Sequence, residues 1–497
     1  MKNRHSTLFV LVIVFVMLFS SFTAATAQEP VTINWMTLSG FYTDWAKQVV
    51  ADFTAKTGIN VNIIDVDLQQ MYQKEVLESV GHTGSLDLLT YDGGWKSEFA
   101  ENGYLLQLDD YIANADPAEV AFEDIAPALR ETTSVWRGKT FGMPYYTFTM
   151  GYYYRCDLFE NPDEMAAFKA QYGYDLGIPR TYDQLADTAA FFRRHPGDTL
   201  AGQTLDQDFY GIGVMAGRFD QVQDEVNSIA WSTGAQVIHD DGTPGVTDQA
   251  FLDAMHLYVD KLIPNAPPGA LSSNYDQIVE QMRNGLIAQT DAFFLDQYAN
   301  MKQTETSIPG ARLCIAPAPG VHTWVGAFGV GVSADSPHPQ EAFDFLAWMA
   351  GPEAQRNFAI GGGSTTRVSI LTDAQLISEH PNTMGHFPTL MTVLDFTAKS
   401  NFYPNYLFVP QGGKIYAEMT TWYSTAASGT MSVEEAMQNM ADSITNICGG
   451  PCEVANEALG EGYHPTPQPF DYDSWIATKE YDISQWVELQ RAAGKVT

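Results

Sequence analysis

The first hundred residues alternate between strand and helix patterns of apolar side chains. A short apolar run at 31–36 predicts a strand, and apolar residues four apart from Phe41 to Phe53 predict an amphipathic helix. Gly58 can end that helix because glycine tolerates the left-handed conformation. Residues 59–63 then alternate between apolar and polar, as a second strand would. A strand, a helix and a strand in this order predict a βαβ unit with parallel pairing.

The same pattern continues with a predicted helix at about 69–80 and a third strand at 86–90. That strand runs directly into a short segment that contains Tyr91, Asp92 and Trp95. In open α/β sheets, ligands bind outside the carboxyl ends of the strands. We therefore expect these three side chains to lie at a binding site.

The segment 138–159 is rich in aromatic and β-branched residues and is interrupted by Gly142, Pro144 and Gly151. It predicts two short strands joined through a bend, because proline cannot donate to a sheet. Three consecutive tyrosines at 152–154 would present rings to both faces of the second strand. Such a strand must be covered on both sides, as at a junction between two lobes. An ordinary buried hairpin is the alternative.

The N-terminus has the pattern of a secretory signal. Lys2 and Arg4 precede an apolar run at 8–19, and 25–27 form an A-x-A site. We expect cleavage after Ala27 and export to a periplasm or the cell exterior, with an uncleaved anchor as the alternative. The sequence near this site contains no cysteine that could carry a lipid anchor.

The chain is strongly acidic, and this excludes several classes of partner. Its formal net charge is −34, and removal of Lys2 and Arg4 with the signal would give −34 − 2 = −36. Such a surface repels nucleic acid and anionic membranes and disfavours an anionic substrate. The sequence contains no G-x-S-x-G, H-E-x-x-H or Walker A motif, and its histidines have no metal-ligand spacing. We therefore expect no cofactor, no metal and no catalytic residue.

The four cysteines suggest disulfides, since the chain carries a secretory signal. Cys448 and Cys452 are separated by a Gly-Gly-Pro turn that can bring them together, so we expect them to pair. Cys156 and Cys314 can pair only if their strands are neighbours. Two buried free thiols are the alternative for that pair.

Several ordered motifs resemble those of one known family. The segment 138–144 is similar to "GK-x-[YF]-G-x-P", and 154–159 is similar to "Y-[NR]-x-D-L-F". Further similar segments lie at 99–111, 361–369 and 428–436. In this order the motifs resemble family 1 extracellular solute-binding proteins, the sugar-binding subunits of ABC importers. The resemblance runs from about Val31 to Ile447 and leaves 449–497 outside it.

The resemblance implies an α/β, two-lobed periplasmic-binding-protein fold of the type II kind, with hinge strands between the lobes. The first lobe would hold 28–151 and 319–371, and the second 152–318 and 372–448, with 449–497 as a C-terminal extension. We expect each lobe to contain a largely parallel sheet. The implied function is a monomeric, non-enzymatic receptor that delivers a carbohydrate to the transmembrane subunits of an ABC permease. A secreted glycoside hydrolase and a receptor for a glycerol phosphate or polyol are the alternatives.

A sugar site needs flat apolar platforms and polar side chains that donate and accept hydrogen bonds in the plane of the ring. The resemblance adds weight to Tyr91, Tyr145, Tyr146, Phe293 and Tyr416. Arg218 and Arg367 would favour a phosphate or carboxylate group if they faced the cleft. The candidate ligand-binding residues are Tyr91, Asp92, Trp95, Tyr145, Tyr146, Trp231, Phe293, Trp324, Tyr416 and Arg367.

Overall fold

A computed structural model describes residues 30–464 and 466–497, apart from the side chains of Phe41 and Gln69. The predicted signal and its cleavage site after Ala27 lie outside the described residues. Within the described part of the chain, no helix combines the length and apolar character needed to cross a membrane.

The strands form two main sheets and two short hairpins. They are β1 Thr32–Leu38, β2 Asn60–Val66, β3 Leu88–Asp92, β4 Val135–Trp136, β5 Lys139–Thr140, β6 Met143–Thr147, β7 Met150–Arg155, β8 Thr199–Leu200, β9 Gln203–Thr204, β10 Gln289–Phe294, β11 Leu313–Ala316 and β12 Ala327–Val332.

The α-helices follow the apolar periodicity of the sequence and cap where it predicts. The helix Phe41–Thr57 ends at Gly58 with a φ of 78°. At the helix Tyr182–Phe192, the Thr181 side chain caps the first turn by accepting from the Gln184 N–H. The α-helices are Phe41–Thr57, Leu68–Val80, Lys96–Glu101, Asp109–Asn114, Pro117–Val120, Pro127–Leu129, Cys156–Phe159, Pro162–Tyr172, Tyr182–Phe192, Gln221–Ser232, Gln249–His256, Tyr275–Arg283, Tyr298–Met301, Thr304–Ser307, Pro339–Ala350, Pro352–Ile360, Val368–Leu371, Ala374–Glu379, Pro381–Met384, Phe387–Ser400, Gly412–Ala427, Val433–Cys448, Tyr472–Ala477 and Ile483–Ala492.

The first sheet has the order β2-β1-β3-β12-β6 and forms the centre of the first lobe. β1 pairs in parallel with β2 and β3, as the βαβ pattern predicts, with Trp35 opposite Leu88. β12 runs antiparallel to both β3 and β6, so this sheet is mixed. The late chain returns to the first lobe through β12 and thereby completes the sheet that the early chain began.

The second sheet, β10-β7-β11, forms the centre of the second lobe and is antiparallel throughout. The prediction of a largely parallel sheet in each lobe is therefore wrong for this lobe. The segment 208–214 beside this sheet forms only single bridges, including Tyr210 with Ile287 and Gly213 with Thr290. A Cβ on Gly211 would lie 1.6 Å from the Ala189 carbonyl oxygen, so the backbone there packs directly on a helix.

The tyrosine strand is the first connection between the lobes. β6 belongs to the first sheet and β7 to the second, and only Phe148 and Thr149 separate them. The side chains of Tyr152, Tyr153 and Tyr154 are all buried, as expected for a strand covered on both faces.

Both pairs of cysteines form disulfides. β11 lies beside β7 with Cys314 opposite Tyr154, and this register brings Cys314 to Cys156 with a Cα–Cα distance of 5.6 Å. Cys448 and Cys452 are joined across the Gly-Gly-Pro turn.

The C-terminal extension packs along the edge of the second sheet. The Ile315 N–H of β11 donates to the Tyr481 carbonyl at 3.2 Å, and the Tyr472 hydroxyl donates to the Ala318 carbonyl at 2.7 Å. Trp475 and Trp486 are buried. The extension therefore covers an edge strand that would otherwise present unpaired backbone groups.

Candidate functional site

The carboxyl end of β3 turns one acidic side chain toward the second lobe. Asp92 is buried, and its carboxylate accepts a hydrogen bond from the Gly94 N–H at 2.7 Å. Successive residues of a strand point to opposite faces. Tyr91 accordingly lies in the core of the first lobe, where its hydroxyl donates to the Thr133 carbonyl at 2.9 Å.

A polar stripe on the helix Gln221–Ser232 faces Asp92. Asp220, Asp224, Ser228 and Trp231 are spaced by three or four residues and therefore share one helical face. The Ser228 hydroxyl lies 2.9 Å from the Thr323 hydroxyl. This helix thus presents two carboxylates and an indole at the junction of the lobes.

The start of the helix Gly412–Ala427 lies against the first lobe. A Cβ on Gly412 would lie 2.5 Å from Ser97 Oγ, so the segments that contain these two residues approach as closely as glycine permits. One turn later, the Tyr416 hydroxyl donates to the Asp220 carboxylate at 3.4 Å. Tyr416 therefore joins the group formed by Asp92 and Asp220.

Two aromatic rings lie close to this acidic group. Trp324 and Tyr406 are nearly parallel, with ring centroids 6.3 Å apart and an interplanar angle of 20°. Trp324 and Trp231 line one small cavity together with Thr132 of the first lobe. The Trp231 Nε1–H is buried and has no hydrogen-bond partner among the described residues.

A second contact between the lobes lies at Tyr146. Its hydroxyl donates to the Asp296 carboxylate, and Phe148 and Phe294 pack nearby with ring centroids 6.1 Å apart. One oxygen of Asp296 is buried without a partner. The lobes therefore contact each other directly at Tyr146 as well as at the group that contains Asp92 and Tyr416.

Burial makes the carboxylates of this junction reluctant to ionise. Desolvation, with a smaller contribution from the nearby Asp220, raises the pKa of Asp92 to about 7 despite the opposing hydrogen bond from Gly94. Burial and repulsion from Asp220, Asp92 and Glu225 raise the pKa of Asp224 well above its usual value. Desolvation also raises the pKa of Asp220. We call Asp92, Asp220 and Asp224 the acidic cluster.

Several predicted site residues lie in the lobe interiors instead. Tyr145 stacks on Trp45 with an interplanar angle of 8°, and Trp95 packs on Tyr72. Phe293 contacts Tyr153 within the second lobe.

Arg367 does not face the cleft either. Its guanidinium is fully buried in the first lobe and donates to the carbonyls of Ala350 at 2.7 Å and Val120 at 2.9 Å, as well as to Ala121. These contacts tie helix ends together, so the expectation that it meets ligand is wrong. Arg218 is exposed. Neither arginine supplies the junction with an anion partner.

Of the predicted residues, the structure brings Asp92, Trp231, Trp324 and Tyr416 together and places Tyr146 at the second contact. The sequence reasoning missed Asp220, Asp224, Tyr406 and Asp296. The spacing of Asp220, Asp224, Ser228 and Trp231 on one face of a helix could have revealed two of these. In so acidic a chain, single carboxylates carry little information.

A larger groove of about 820 Å³ lies elsewhere, on the outer side of the first lobe. It is lined by Phe53, Tyr111, Phe343 and Trp348, among others, and by none of the cleft residues described above. The Lys56 ammonium lies 4.6 Å from the Trp348 ring centroid. In the described part of the chain, no group of His, Cys, Asp or Glu side chains has the arrangement of a metal site.

Solved structures share this architecture. A solute-binding protein from Agrobacterium radiobacter K84 in complex with ribitol superimposes with a TM-score of 0.70 and 21% identity, covering 84% of this chain and 98% of that one. Maltose-bound MalE3 of T. maritima gives 0.64 and 18%, covering 84% and 100%. A protein from Agrobacterium vitis S4 with bound D-mannitol also gives 0.64 and 18%, covering 84% and 97%. These matches confirm the two-lobed α/β fold.

Curated relatives are binding proteins by name. A probable amino-acid ABC transporter periplasmic-binding protein of Sinorhizobium fredii is 24% identical over 67% of this chain and 72% of its own length. A mannitol-binding protein of Pseudomonas aeruginosa is 24% identical over 53% of this chain and 56% of its own length. The family described as bacterial extracellular solute-binding protein matches residues 42–356, more than half of the sequence. The chain belongs to this family.

Proposed function

We propose that this protein is the extracytoplasmic receptor of an ABC importer and that it binds a carbohydrate or polyol between its lobes. The observation that carries the proposal is the group of hydrogen-bonding and aromatic side chains that meets there. It consists of the acidic cluster with Trp324, Tyr406 and Tyr416.

The chemistry of this group suits a polyhydroxylated ligand. Carboxylates accept hydrogen bonds from hydroxyl groups, and aromatic faces pack on the apolar C–H surfaces of a sugar. The unpartnered Trp231 Nε1–H could donate to a ligand oxygen. Such a mixture of apolar walls and a few directed polar groups is typical of small-molecule sites.

The names of the relatives favour neutral polyols over anions. Ribitol, mannitol and maltose stand in the titles of structural neighbours, whereas one relative is named for amino acids. An amino acid or a phosphorylated polyol would need a cation for its acidic group. Arg367 is buried in the first lobe and donates to backbone carbonyls, so it does not support that alternative.

The two-lobed fold suggests how binding is signalled. Two lobes joined by strands can close as a hinge around a ligand held between them. To move a population from 1:99 to 99:1, the ligand must favour the closed form by about 5.5 kcal/mol. Residues of both lobes must therefore contact the ligand, as Asp92 and Tyr416 are placed to do. The closed receptor would then dock on the permease as a monomer, after cleavage of the signal behind Ala27.

A ligand panel tests the proposal. Purified protein is titrated calorimetrically with hexoses, hexitols and oligosaccharides, and each mixture is then analysed for products. Saturable binding without products supports the receptor, and turnover would instead support a glycoside hydrolase that uses a carboxylate pair. A true ligand at 100 times its Kd should also raise the unfolding free energy by about 2.7 kcal/mol. Binding only of phosphate esters would overturn the proposed ligand class.

A further inference from the structure

We propose that the ligand carries a protonated amine in addition to its hydroxyl groups, as an amino sugar or amino polyol does. This inference rests on the proposed function and refines it. It is drawn from the acidic cluster, the hydrogen bonds that its members make, and the basic side chains that its members lack.

The three carboxylates come from both lobes onto one small region. Asp92 ends β3, and Asp220 and Asp224 lie at the start of the helix Gln221–Ser232. Asp220 occupies the N-cap position but makes no side-chain capping bond, so its carboxylate is directed elsewhere. The positive end of the helix dipole favours an adjacent negative charge, but it offsets only part of the repulsion among three carboxylates.

No lysine or arginine among the described residues forms an ion pair with the acidic cluster. Elsewhere the protein pairs its partly buried carboxylates with arginine, as in Arg155 with Asp157 at 2.6 Å. The neighbouring buried ammonium of Lys96 donates instead to the Glu131 carbonyl at 2.8 Å and lies over the Phe408 ring. A cation from outside the protein would therefore be the partner that favours the ionised form of these carboxyls.

The supply of hydrogen-bond donors is also short. Asp220 accepts from Tyr416 and Gln221, and Asp92 accepts only from Gly94. Asp224 is 6% exposed, and no described group donates to its carboxylate. A carboxylate taken out of water needs a donor or a cation to stay ionised. Asp224 is therefore the position at which a ligand contact stabilises the closed form most.

An ammonium group fits this need better than a hydroxyl group or a metal ion. It brings a positive charge and three donors, which several carboxylates can share. A hydroxyl group brings one donor and leaves the charge in place. The described residues do not form a metal site. The aromatic faces of Trp324 and Tyr406 would attract a cation as well as a sugar C–H surface.

Matched pairs of probes test the inference. The pairs are D-glucose with D-glucosamine, D-galactose with D-galactosamine, and sorbitol with 1-amino-1-deoxysorbitol, each measured by calorimetry at constant ionic strength. The N-acetyl form of each amine serves as an uncharged analogue of similar shape. We expect at least one amine to bind ten times more tightly than both its hydroxyl partner and its N-acetyl form.

Two variants separate the charge effect from a general change of charge. Asp224→Asn should remove the preference for the amine, because an asparagine amide cannot carry the negative charge that pairs with an ammonium group. Asp52→Asn changes the same charge on an exposed helix position and should keep the preference.

The outcomes distinguish this inference from the proposed function. If the hydroxyl members bind as tightly as the amines, the inference is overturned and the receptor function stands. An amine preference that survives Asp224→Asn also overturns it. If no member of any pair binds but an oligosaccharide or another polyol does, the inference is overturned and the receptor function stands.

Discussion

Gly94 of the first lobe lies directly beneath the ring of Tyr416. A Cβ built on Gly94 would lie 2.6 Å from Tyr416 Cδ2 and 3.0 Å from Cε2. The φ of Gly94 is not in the left-handed region, so alanine is permitted there by the backbone. Whether a side chain fits at Gly94 therefore depends on the distance between the two lobes and not on the local backbone conformation.

Gly94→Ala should hold the lobes apart without unfolding either of them. The added methyl group clashes with the Tyr416 ring in the closed arrangement, and it would also lie 3.1 Å from Asp92 Oδ1 of the same lobe, so we expect ligand affinity to fall at least tenfold. Small-angle scattering of the unliganded variant should give a larger radius of gyration than the parent. Gly269→Ala, where a Cβ would meet nothing within 4 Å, is the matched control.

The same contact can be relieved from the other side. Adding Tyr416→Ala to Gly94→Ala removes the ring that the methyl group meets, so the scattering radius should return toward that of the parent. If the double variant stays as open as Gly94→Ala, the clash with Tyr416 is not what separates the lobes.

The pKa of Asp92 predicts a pH dependence of stability. Desolvation raises this pKa to about 7 in the folded protein, whereas an unfolded aspartate titrates near pH 3.9. The folded state holds the proton more tightly, so the resulting stability is fully present below about pH 4 and is lost as the pH rises through about 7. We expect the unfolding free energy, measured with urea, to fall from pH 5 to pH 8 more steeply in the parent than in Asp92→Asn.

Other groups that titrate in this range are common to the two proteins. Burial lowers the pKa of His322 to about 4 and that of His386 to about 3. Both shifts make the folded protein more stable as the pH rises. They cancel in the difference between variant and parent. A difference that stays constant from pH 5 to pH 8 would show that Asp92 is not perturbed.

The two disulfides should differ in their contribution to stability. Cys156 and Cys314 are separated by 158 residues, and Cys448 and Cys452 by 4. In the chain-entropy account, a crosslink that closes a longer loop restricts the unfolded chain more. We expect Cys156→Ser with Cys314→Ser to cost about 2–5 kcal/mol and the other double variant less. Denaturant unfolding of both double variants, compared with the parent that keeps both disulfides, checks the order.

Removal of the C-terminal extension should expose the edge of the second sheet. Truncation after Asn456 removes the Tyr481 carbonyl that pairs with Ile315, and with it Trp475 and Trp486. An uncovered edge strand tends to pair with another chain. We expect a lower melting temperature and concentration-dependent association by light scattering. A truncated protein that stays monomeric at all concentrations would show that the extension does not protect β11.

The sequence predicted which segments meet at the site better than which side chains point into it. At each predicted strand end it identified the correct neighbourhood, because aromatic and acidic residues cluster there. In β3, however, Asp92 faces the cleft and Tyr91 the core, and in β6 Tyr146 faces the cleft and Tyr145 the core. Because side chains alternate between the two faces of a strand, a shift of one residue in the pairing register reverses which side chain faces the cleft. That register is set by pairing with β12, a strand from far along the chain.

The antiparallel second sheet was not predictable for a related reason. Local alternation of helices and strands indicates parallel pairing, but β7 enters the second lobe from the first and pairs with strands more than a hundred residues later. Only the long-range pairing decides its direction. The helical face of Asp220 and Asp224 was readable in the sequence, whereas its position opposite Asp92 required the fold.

The disulfide between Cys156 and Cys314 closes the intervening chain into a covalent ring whose two ends meet at the sulfur atoms. A protease that cuts once between these residues opens the ring without releasing a fragment. A pulling force applied at the chain ends would pass from β7 to β11 through the sulfur atoms, and the ring itself would carry no tension. The part of the second lobe between these cysteines therefore stays attached after a single cut and is shielded from a pulling force, while the polypeptide links to the first lobe remain free to bend.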